Sequence, residues 1–122
     1  MWMRFLLLDD EADILEYLQI ILEERFGSEC LSFGNGADGL KAALDEPYDL
    51  IITDHLMPEL TGGELVIEIR KQTGPNQQTP IIVLSGYINE DLKEMLPTDK
   101  VDLLTKPMIE AEFLDLIATR LP

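Results

Sequence analysis

The stretch Leu50-Ile51-Ile52-Thr53-Asp54 is a short run of apolar, β-prone residues that ends in a carboxylate. A run of this length between turn signals predicts a strand that is buried on both faces, and such a strand indicates a parallel sheet with helices on each side. Because ligands bind such sheets outside the carboxyl ends of the strands, Asp54 lies where a functional group is expected. An Asp at this place often only opens a turn, so the other strand ends must decide between the two interpretations.

Strand and helix patterns alternate along the whole chain. Apolar runs predict strands at residues 3–8, 30–33, 48–53, 80–85 and 101–105. Apolar residues at helical spacing predict helices at residues 11–26, 37–45, 64–71, 89–96 and 110–121. Five strict strand–helix pairs predict a doubly wound α/β sandwich, and right-handed crossovers place helices on both of its faces. Because no repeat or linker interrupts the pattern, residues 1–122 are expected to form one domain.

The charge of the chain restricts the kinds of partner that it can bind. It carries 9 basic and 24 acidic residues, which give a formal charge of -15. Binding to nucleic acid or to an anionic membrane surface needs Lys and Arg, so both are disfavoured. The acidic balance suits cation binding, or it serves only to keep the protein soluble. Cys30 is the single cysteine, and the apolar run Phe5–Leu8 is too short for a signal peptide, so a cytoplasmic location is expected.

Chemically active side chains stand at the carboxyl ends of four predicted strands. They are Asp9 and Asp10, Asp54, Ser85 and Lys106. In a parallel sheet these ends share one edge, so the side chains can converge there. Two carboxylates about 4 Å apart repel by ~4 kcal/mol at an effective dielectric near 20, and a hard divalent cation such as Mg²⁺ relieves that repulsion.

An oxygen-bound cation, an ammonium and a hydroxyl donor together suit a phosphoryl group in transfer. The sequence has no Walker loop to hold a nucleotide, and an Asp can itself accept the phosphoryl group as a nucleophile. Each residue also has a purely structural interpretation. Asp10 could cap the helix that begins at Glu11, Ser85 could belong to an ordinary turn, and Lys106 could be a solvated charge. Their joint occurrence at the strand ends favours the functional interpretation.

Five motifs in order resemble those of response-regulator receiver domains, over essentially the whole chain. They are Leu6–Glu11, Asp49–Asp54, Met57-Pro58 with Gly62-Gly63 after it, Ile81–Gly86 and Leu104–Pro107. No single motif is specific, but the five together at these intervals are. The resemblance implies a flavodoxin-like, five-stranded parallel sheet with the strand order 2-1-3-4-5.

The resemblance also implies a metal site and a phosphoacceptor. Asp54 would accept a phosphoryl group from a histidine kinase or a phosphotransfer protein. Mg²⁺ would be held by Asp10 and Asp54, by Asp9 mostly through water, and by the backbone carbonyl of Leu56. These assignments predict that a single aspartyl phosphate forms on Asp54 when Mg²⁺ and a small phosphodonor are present.

Two further residues would contact the phosphoryl group, and the resulting change would be passed on to other proteins. Ser85 would hydrogen-bond one phosphoryl oxygen and Lys106 would pair with another, with a cis bond between Lys106 and Pro107. The protein would be a signalling switch for a downstream target or effector domain. Its catalysis would be limited to its own phosphorylation and slow self-dephosphorylation, so it is not expected to be an enzyme in any wider sense.

Several positions modify this expectation. Leu103 stands where receivers usually carry an aromatic ring that moves inward, and residues 97–100 replace a turn that usually contains glycine. We expect Leu103 to keep one buried position and the response to run through residues 85–96, with Tyr87 as the moving ring. Leu56 and Tyr87 would flank the attacking water, and because both are bulky and poor at orienting water, slow self-hydrolysis is expected.

Two alternatives belong to other functional classes. A small phosphohydrolase could use Asp54 as its nucleophile, but such enzymes usually carry a second Asp two residues on, where this chain has Leu56. A degenerate receiver could act only as a scaffold, but the intact set of acids, Ser85 and Lys106 argues against this. His55 is tempting as a phosphoryl carrier, but alternation along an extended stretch predicts that its side chain faces away from the site, into solvent.

Overall fold

The computed structural model describes residues 2–122, in which five parallel strands alternate with five helices. The strands are β1 (Arg4–Leu8), β2 (Glu29–Phe33), β3 (Leu50–Asp54), β4 (Ile81–Ser85) and β5 (Val101–Thr105). The helices are α1 (Ala12–Phe26), α2 (Gly36–Asp45), α3 (Gly62–Lys71), α4 (Glu90–Met95) and α5 (Glu110–Arg120). The sheet has the order β2-β1-β3-β4-β5, so the predicted doubly wound topology is confirmed.

Helix boundaries follow from local capping. Asn35 accepts a hydrogen bond from the backbone N–H of Asp38 at 2.8 Å, and α2 therefore begins directly after it. Thr61 and Glu64 form a capping box, which lets α3 begin at Gly62, two residues before the predicted start. Within the described residues 2–122, no helix is long and apolar enough to cross a lipid bilayer.

The hydrophobic core lies on both faces of the sheet. Every residue of β3 and β4 is buried, as expected for the central strands of a sandwich. One core cluster includes the α2 and α3 side of the sheet, and the other includes α1 and α5. Leu103 on the edge strand β5 is only partly buried, because an edge strand has a neighbour on one side alone. Leu103 is therefore less buried than expected, and its fixed position stays a prediction.

At the edge of the sheet where the strands begin, a buried asparagine links three segments of the chain by hydrogen bonds. Asn76 is 1% exposed, and its Nδ2 donates to the carbonyls of Ala43 at 2.5 Å and Glu46 at 2.7 Å. Its Oδ1 accepts from Tyr48 N at 2.8 Å and from Thr79 Oγ1 at 2.9 Å. These four bonds join the end of α2, the approach to β3 and the loop before β4. The amide of Asn76 is thus fully used in holding three segments together.

Arg70 of α3 extends this arrangement towards β5. Its guanidinium donates to the carbonyls of Asn76 at 3.1 Å, Thr79 at 2.6 Å and Lys100 at 3.2 Å, with longer bonds to that of Asp99. All of these partners are main-chain oxygens. Lys100 adopts a positive φ of 58°, a conformation that favours glycine. We call Arg70, Asn76 and Thr79 the amino-edge network.

Candidate functional site

Three carboxylates meet where β1 and β3 end. Asp9 and Asp10 follow β1, Asp54 is the last residue of β3, and these two strands are direct neighbours. One oxygen from each carboxylate lies within 4.8 Å of the others. Asp9 is 1% exposed and Asp54 is 8% exposed, whereas Asp10 is exposed. The predicted convergence of the three acids at one sheet edge is therefore what the fold produces.

Lys106 supplies a positive charge to this cluster. Its Nζ lies 2.8 Å from Asp54 Oδ1 and 3.2 Å from Asp9 Oδ2. The peptide bond to Pro107 is cis, and the backbone N–H of Lys106 donates to the carbonyl of Ser85 at 2.9 Å. One ammonium thus stands against three carboxylates, which leaves an excess of negative charge at the site.

Burial and charge both shift the titration of the site. Burial raises the pKa of Asp54, the hydrogen bond and charge of Lys106 oppose that rise, and the charges of Asp9 and Asp10 add to it. Burial acts to lower the pKa of Lys106, but its hydrogen bond and attraction to Asp54, and then to Asp9, outweigh burial and leave that pKa raised. The ammonium is thus held in its charged form, while Asp54 is destabilised as an anion.

The donor set fits a hard divalent cation. Carboxylate oxygens at these distances are the ligands that Mg²⁺ accepts, and the excess negative charge favours its binding. Asp9 is already occupied at both oxygens, because Oδ1 accepts from Glu11 N at 2.9 Å and Oδ2 contacts Lys106. The interpretation of Asp10 as a helix cap is wrong, because the cap residue of α1 is Glu11 and no side-chain bond caps that helix.

Ser85 is turned towards its own loop. It is 3% exposed, its Oγ donates to the Tyr87 carbonyl at 2.6 Å, and the same Oγ accepts from Tyr87 N at 3.3 Å. This is the ordinary turn that the sequence left open as an alternative. A contact between Ser85 and a phosphoryl oxygen stays a prediction, since it needs the hydroxyl to leave the Tyr87 backbone.

The two residues expected to shield the site have prominent side chains. Leu56 is 70% exposed and Tyr87 is 75% exposed, and both line a surface cavity that also borders Ser85 and α4. Along the chain, Leu56 lies two residues after Asp54, and Tyr87 lies two residues after Ser85. Their effect on the lifetime of a phosphorylated state stays a prediction.

His55 borders the same surface cavity, but its ring is not directed wholly into solvent as expected. The side chain is only partly exposed, and its Nδ1 accepts a hydrogen bond from the backbone N–H of Gly63 at 3.2 Å. Alternation failed because β3 ends at Asp54, so His55 already belongs to the turn. The pair Gly62-Gly63 was the available signal, since adjacent glycines often mark a close approach of two backbones.

Comparison with known proteins gives a consistent picture. A family model described as the response regulator receiver domain matches residues 5–118. The chain is 33% identical over 119 residues to the response regulator protein PilR of Pseudomonas aeruginosa, which covers 97% of this chain and 26% of that relative. The chain therefore spans about a quarter of the length of PilR.

Two solved structures share the fold. A CheY-like response regulator receiver domain protein from Methanospirillum hungatei JF-1 has a TM-score of 0.87 at 24% identity, over 98% of this chain and 94% of that one. The receiver domain of a sensor histidine kinase from Pseudomonas aeruginosa PAO1 has a TM-score of 0.84 at 24% identity, over 98% and 97% of the two chains. That neighbour has a magnesium ion coordinated in its active-site cleft.

Proposed function

The chain belongs to the response regulator receiver domain family, and on that premise we propose that it is a signalling switch that is set by phosphorylation of Asp54. Residues 1–122 form one receiver domain in this proposal, and it works in the cytoplasm. The observation that carries the proposal is the 2.8 Å contact between Lys106 Nζ and Asp54 Oδ1 in a cluster of three acids.

Among the three acids, Asp54 is the best-suited acceptor. Asp9 has both carboxylate oxygens engaged, one by Glu11 N and one by Lys106. Asp10 is exposed, where water stabilises its charge and lowers its value as a nucleophile. Asp54 is buried and its pKa is raised, first by that burial, so its anion is poorly solvated and reactive. Lys106 is already beside it to meet the incoming charge.

The transfer step is a nucleophilic displacement at phosphorus. A carboxylate oxygen of Asp54 forms a P–O bond, the P–N bond of a phosphohistidine breaks, and the imidazole leaves with a proton from solvent. Lys106 stays within reach of a phosphoryl oxygen, and Ser85 would exchange its bond to Tyr87 for another of these oxygens. In self-dephosphorylation, water attacks phosphorus, the P–O bond to Asp54 breaks, inorganic phosphate leaves and the carboxylate is restored.

Mg²⁺ fits as the cofactor of this step. Asp10 and Asp54 would hold the ion directly, Asp9 would contribute mostly through water, and the backbone carbonyl of Leu56 would be a further ligand. When bound, the ion supplies positive charge against the phosphoryl oxygens. Asp9 suits a role through water, because both of its oxygens already have protein partners.

The partners follow from the chemistry of the step. The phosphodonor is a histidine kinase or a phosphotransfer protein, and the receiver of the signal is a downstream protein target or an effector domain. With a charge of -15, this domain is not proposed to contact nucleic acid or a membrane itself. A phosphohydrolase is less well supported, because exposed Leu56 stands where such an enzyme usually has its second Asp.

The experiment is phosphorylation by acetyl phosphate with Mg²⁺, followed by intact-mass and peptide mapping. We expect a single acyl phosphate on Asp54, none in Asp54→Asn, and none when the metal is chelated. Lys106→Ala should uncouple phosphorylation from any structural response. A phosphate on Ser85 or His55 would contradict the assignment. Sustained turnover of excess phosphodonor at an enzyme-like rate would favour the phosphohydrolase.

A further inference from the structure

The start of α3 is held by residues on both sides of the loop that precedes it. Four backbone N–H groups at the start of a helix have no partner within the helix. Here Gly62 N donates to the His55 carbonyl at 2.8 Å, and Gly63 N donates to His55 Nδ1 at 3.2 Å. Glu64 N donates to Thr61 Oγ1 at 3.2 Å, and Thr61 N donates to Glu64 Oε1 at 3.0 Å. His55 thus accepts from two of the four groups, and the Thr61–Glu64 capping box pairs the other two.

His55 makes these contacts from the position directly after the acceptor. Its own N–H donates to the Leu84 carbonyl at 2.9 Å, so its backbone is fixed to β4. Gly62 packs so closely that a Cβ there would collide with the Asp54 carbonyl. A Cβ on Gly63 would lie 3.2 Å from His55 Cε1 and 2.9 Å from Met95 Sδ of α4. The imidazole therefore fills the junction between the end of β3, the start of α3 and the end of α4.

From this geometry we infer that His55 is a positioning residue for the phosphoacceptor site. Its Nδ1 holds the start of α3 against the backbone that carries Asp54. The loop between them, residues 56–61, is anchored at its start by His55, whereas Thr61 at its end only caps α3. That loop contains Leu56, whose carbonyl is the proposed metal ligand. The inference rests on the proposed function, because the loop matters only if it helps to hold Mg²⁺ at Asp54.

Substitutions at His55 can distinguish the role of Nδ1 as a hydrogen-bond acceptor from the role of the ring in filling space. His55→Asn keeps an oxygen acceptor close to the place of Nδ1, His55→Gln moves the acceptor one bond further out, and His55→Leu removes it while keeping an apolar side chain. Thr61→Val is the matched control, because it removes a cap bond from the same helix and leaves the residue next to Asp54 intact. Comparing these variants distinguishes positioning of the site from stabilisation of α3.

The measurements are Mg²⁺ affinity by calorimetry, the rate of phosphorylation by acetyl phosphate, and amide exchange at Gly63. In His55→Leu we expect faster exchange at Gly63 and Mg²⁺ affinity lower by about tenfold, the low end for loss of a residue that orients a metal site. Phosphorylation should slow in parallel. His55→Asn should recover most of the affinity, His55→Gln less, and Thr61→Val should keep the affinity of the unchanged protein.

Two results would overturn the inference. One is a folded His55→Leu protein with unchanged Mg²⁺ affinity. The other is a loss of affinity as large in Thr61→Val, or in His55→Asn, as in His55→Leu. If His55→Leu does not fold, the Asn and Gln pair gives the same decision, because equal affinities in these two variants would contradict a role for the acceptor at Nδ1. Failure of the unchanged protein to be phosphorylated on Asp54 would contradict the proposed function, whereas metal affinity and Gly63 exchange would still test His55.

Discussion

The amino and carboxyl edges of the sheet differ in how their polar groups are paired. At the amino edge, all four hydrogen-bonding positions of the Asn76 amide have partners, and Arg70 adds several main-chain carbonyls. At the carboxyl edge, three carboxylates share one ammonium. In the first arrangement the polar groups are paired within the chain, whereas the second keeps an excess of negative charge. A buried polar cluster that its own chain pairs stabilises the fold, whereas an excess of like charge favours the binding of a counter-ion.

The largest change in unfolding free energy is expected in the amino-edge network, at Asn76. Asn76→Leu would leave Tyr48 N and the carbonyls of Ala43 and Glu46 without this partner, and unfolding free energy should fall by about 4 kcal/mol, since each buried unpaired group costs about 1–3 kcal/mol. Urea denaturation measures the change. Gln78→Ala, at an exposed position of the same loop, is the control and should change little. A loss below about 1 kcal/mol in Asn76→Leu would mean that water takes over the hydrogen bonds of the amide. The chain alone would then not be needed to pair the polar groups of this edge.

The carboxyl edge of the sheet, where the three acids lie, is expected to stabilise the protein when it binds Mg²⁺. Mg²⁺ at a hundredfold excess over its dissociation constant should stabilise the protein by about 2.7 kcal/mol, seen as a higher melting temperature. Asp10→Asn should weaken this response and should stabilise the metal-free protein by about 0.5 kcal/mol, because a repulsive surface charge is removed. Glu24→Gln, which removes an exposed charge near the other end of α1, is the control for general electrostatics. If Asp10→Asn destabilises the metal-free protein by more than about 1 kcal/mol, Asp10 has a structural role after all.

Leu56 and Tyr87 are expected to control how long Asp54 stays phosphorylated. Leu56→Asn combined with Tyr87→Glu replaces two exposed, poorly water-orienting side chains by groups that can hold the attacking water. We expect the half-life of the acyl phosphate to shorten by about tenfold, which is less than the 10²–10⁴-fold contribution of well-placed acid–base groups. The decay of the phosphorylated mass after donor removal gives the rate. Met95→Leu, at another residue that lines the same cavity, is the control, and an unchanged or longer half-life in the double variant would argue against shielding.

The smallest effect on stability is expected at Lys100, whose backbone is strained and which lies beside the amino-edge network. Lys100 has a φ of 58°, where glycine is favoured, so Lys100→Gly should raise unfolding free energy by about 0.5 kcal/mol after the greater freedom of the unfolded glycine is subtracted. Lys41→Gly is the control, because Lys41 lies inside α2, where glycine should instead cost about 1 kcal/mol. Thermal denaturation resolves both signs. A destabilised Lys100→Gly protein would show that the lysine side chain supports the turn.

Sequence reasoning succeeded at the carboxyl edge and failed at the amino edge for a physical reason. Asp9, Asp54 and Lys106 follow apolar runs, and the topology alone brings strand ends together, so side-chain type and position were enough. Arg70 and Asn76 bind mostly main-chain groups of segments that are far away in the chain, and no residue pattern marks a carbonyl as a partner.

His55 illustrates the boundary between these two cases. The period of two that predicted its direction holds only while the backbone is extended, and β3 ends one residue earlier. Ser85 illustrates another limit, because the same hydroxyl can serve its own loop or a phosphoryl group, and the sequence does not distinguish the two states. The type of residue at the site was predictable, whereas its present partner was not.

The way in which Arg70 holds the turn before β5 has an evolutionary consequence. Its guanidinium contacts the carbonyls of Asp99 and Lys100, which every amino acid possesses, and it makes no use of their side chains. The side chains of residues 97–99 can therefore diverge while this anchorage of β5 is preserved, whereas the positive φ of Lys100 restricts the residue types at that position. A fixed backbone with variable side chains at residues 97–99 would let the surface of this turn change by mutation without loss of the fold.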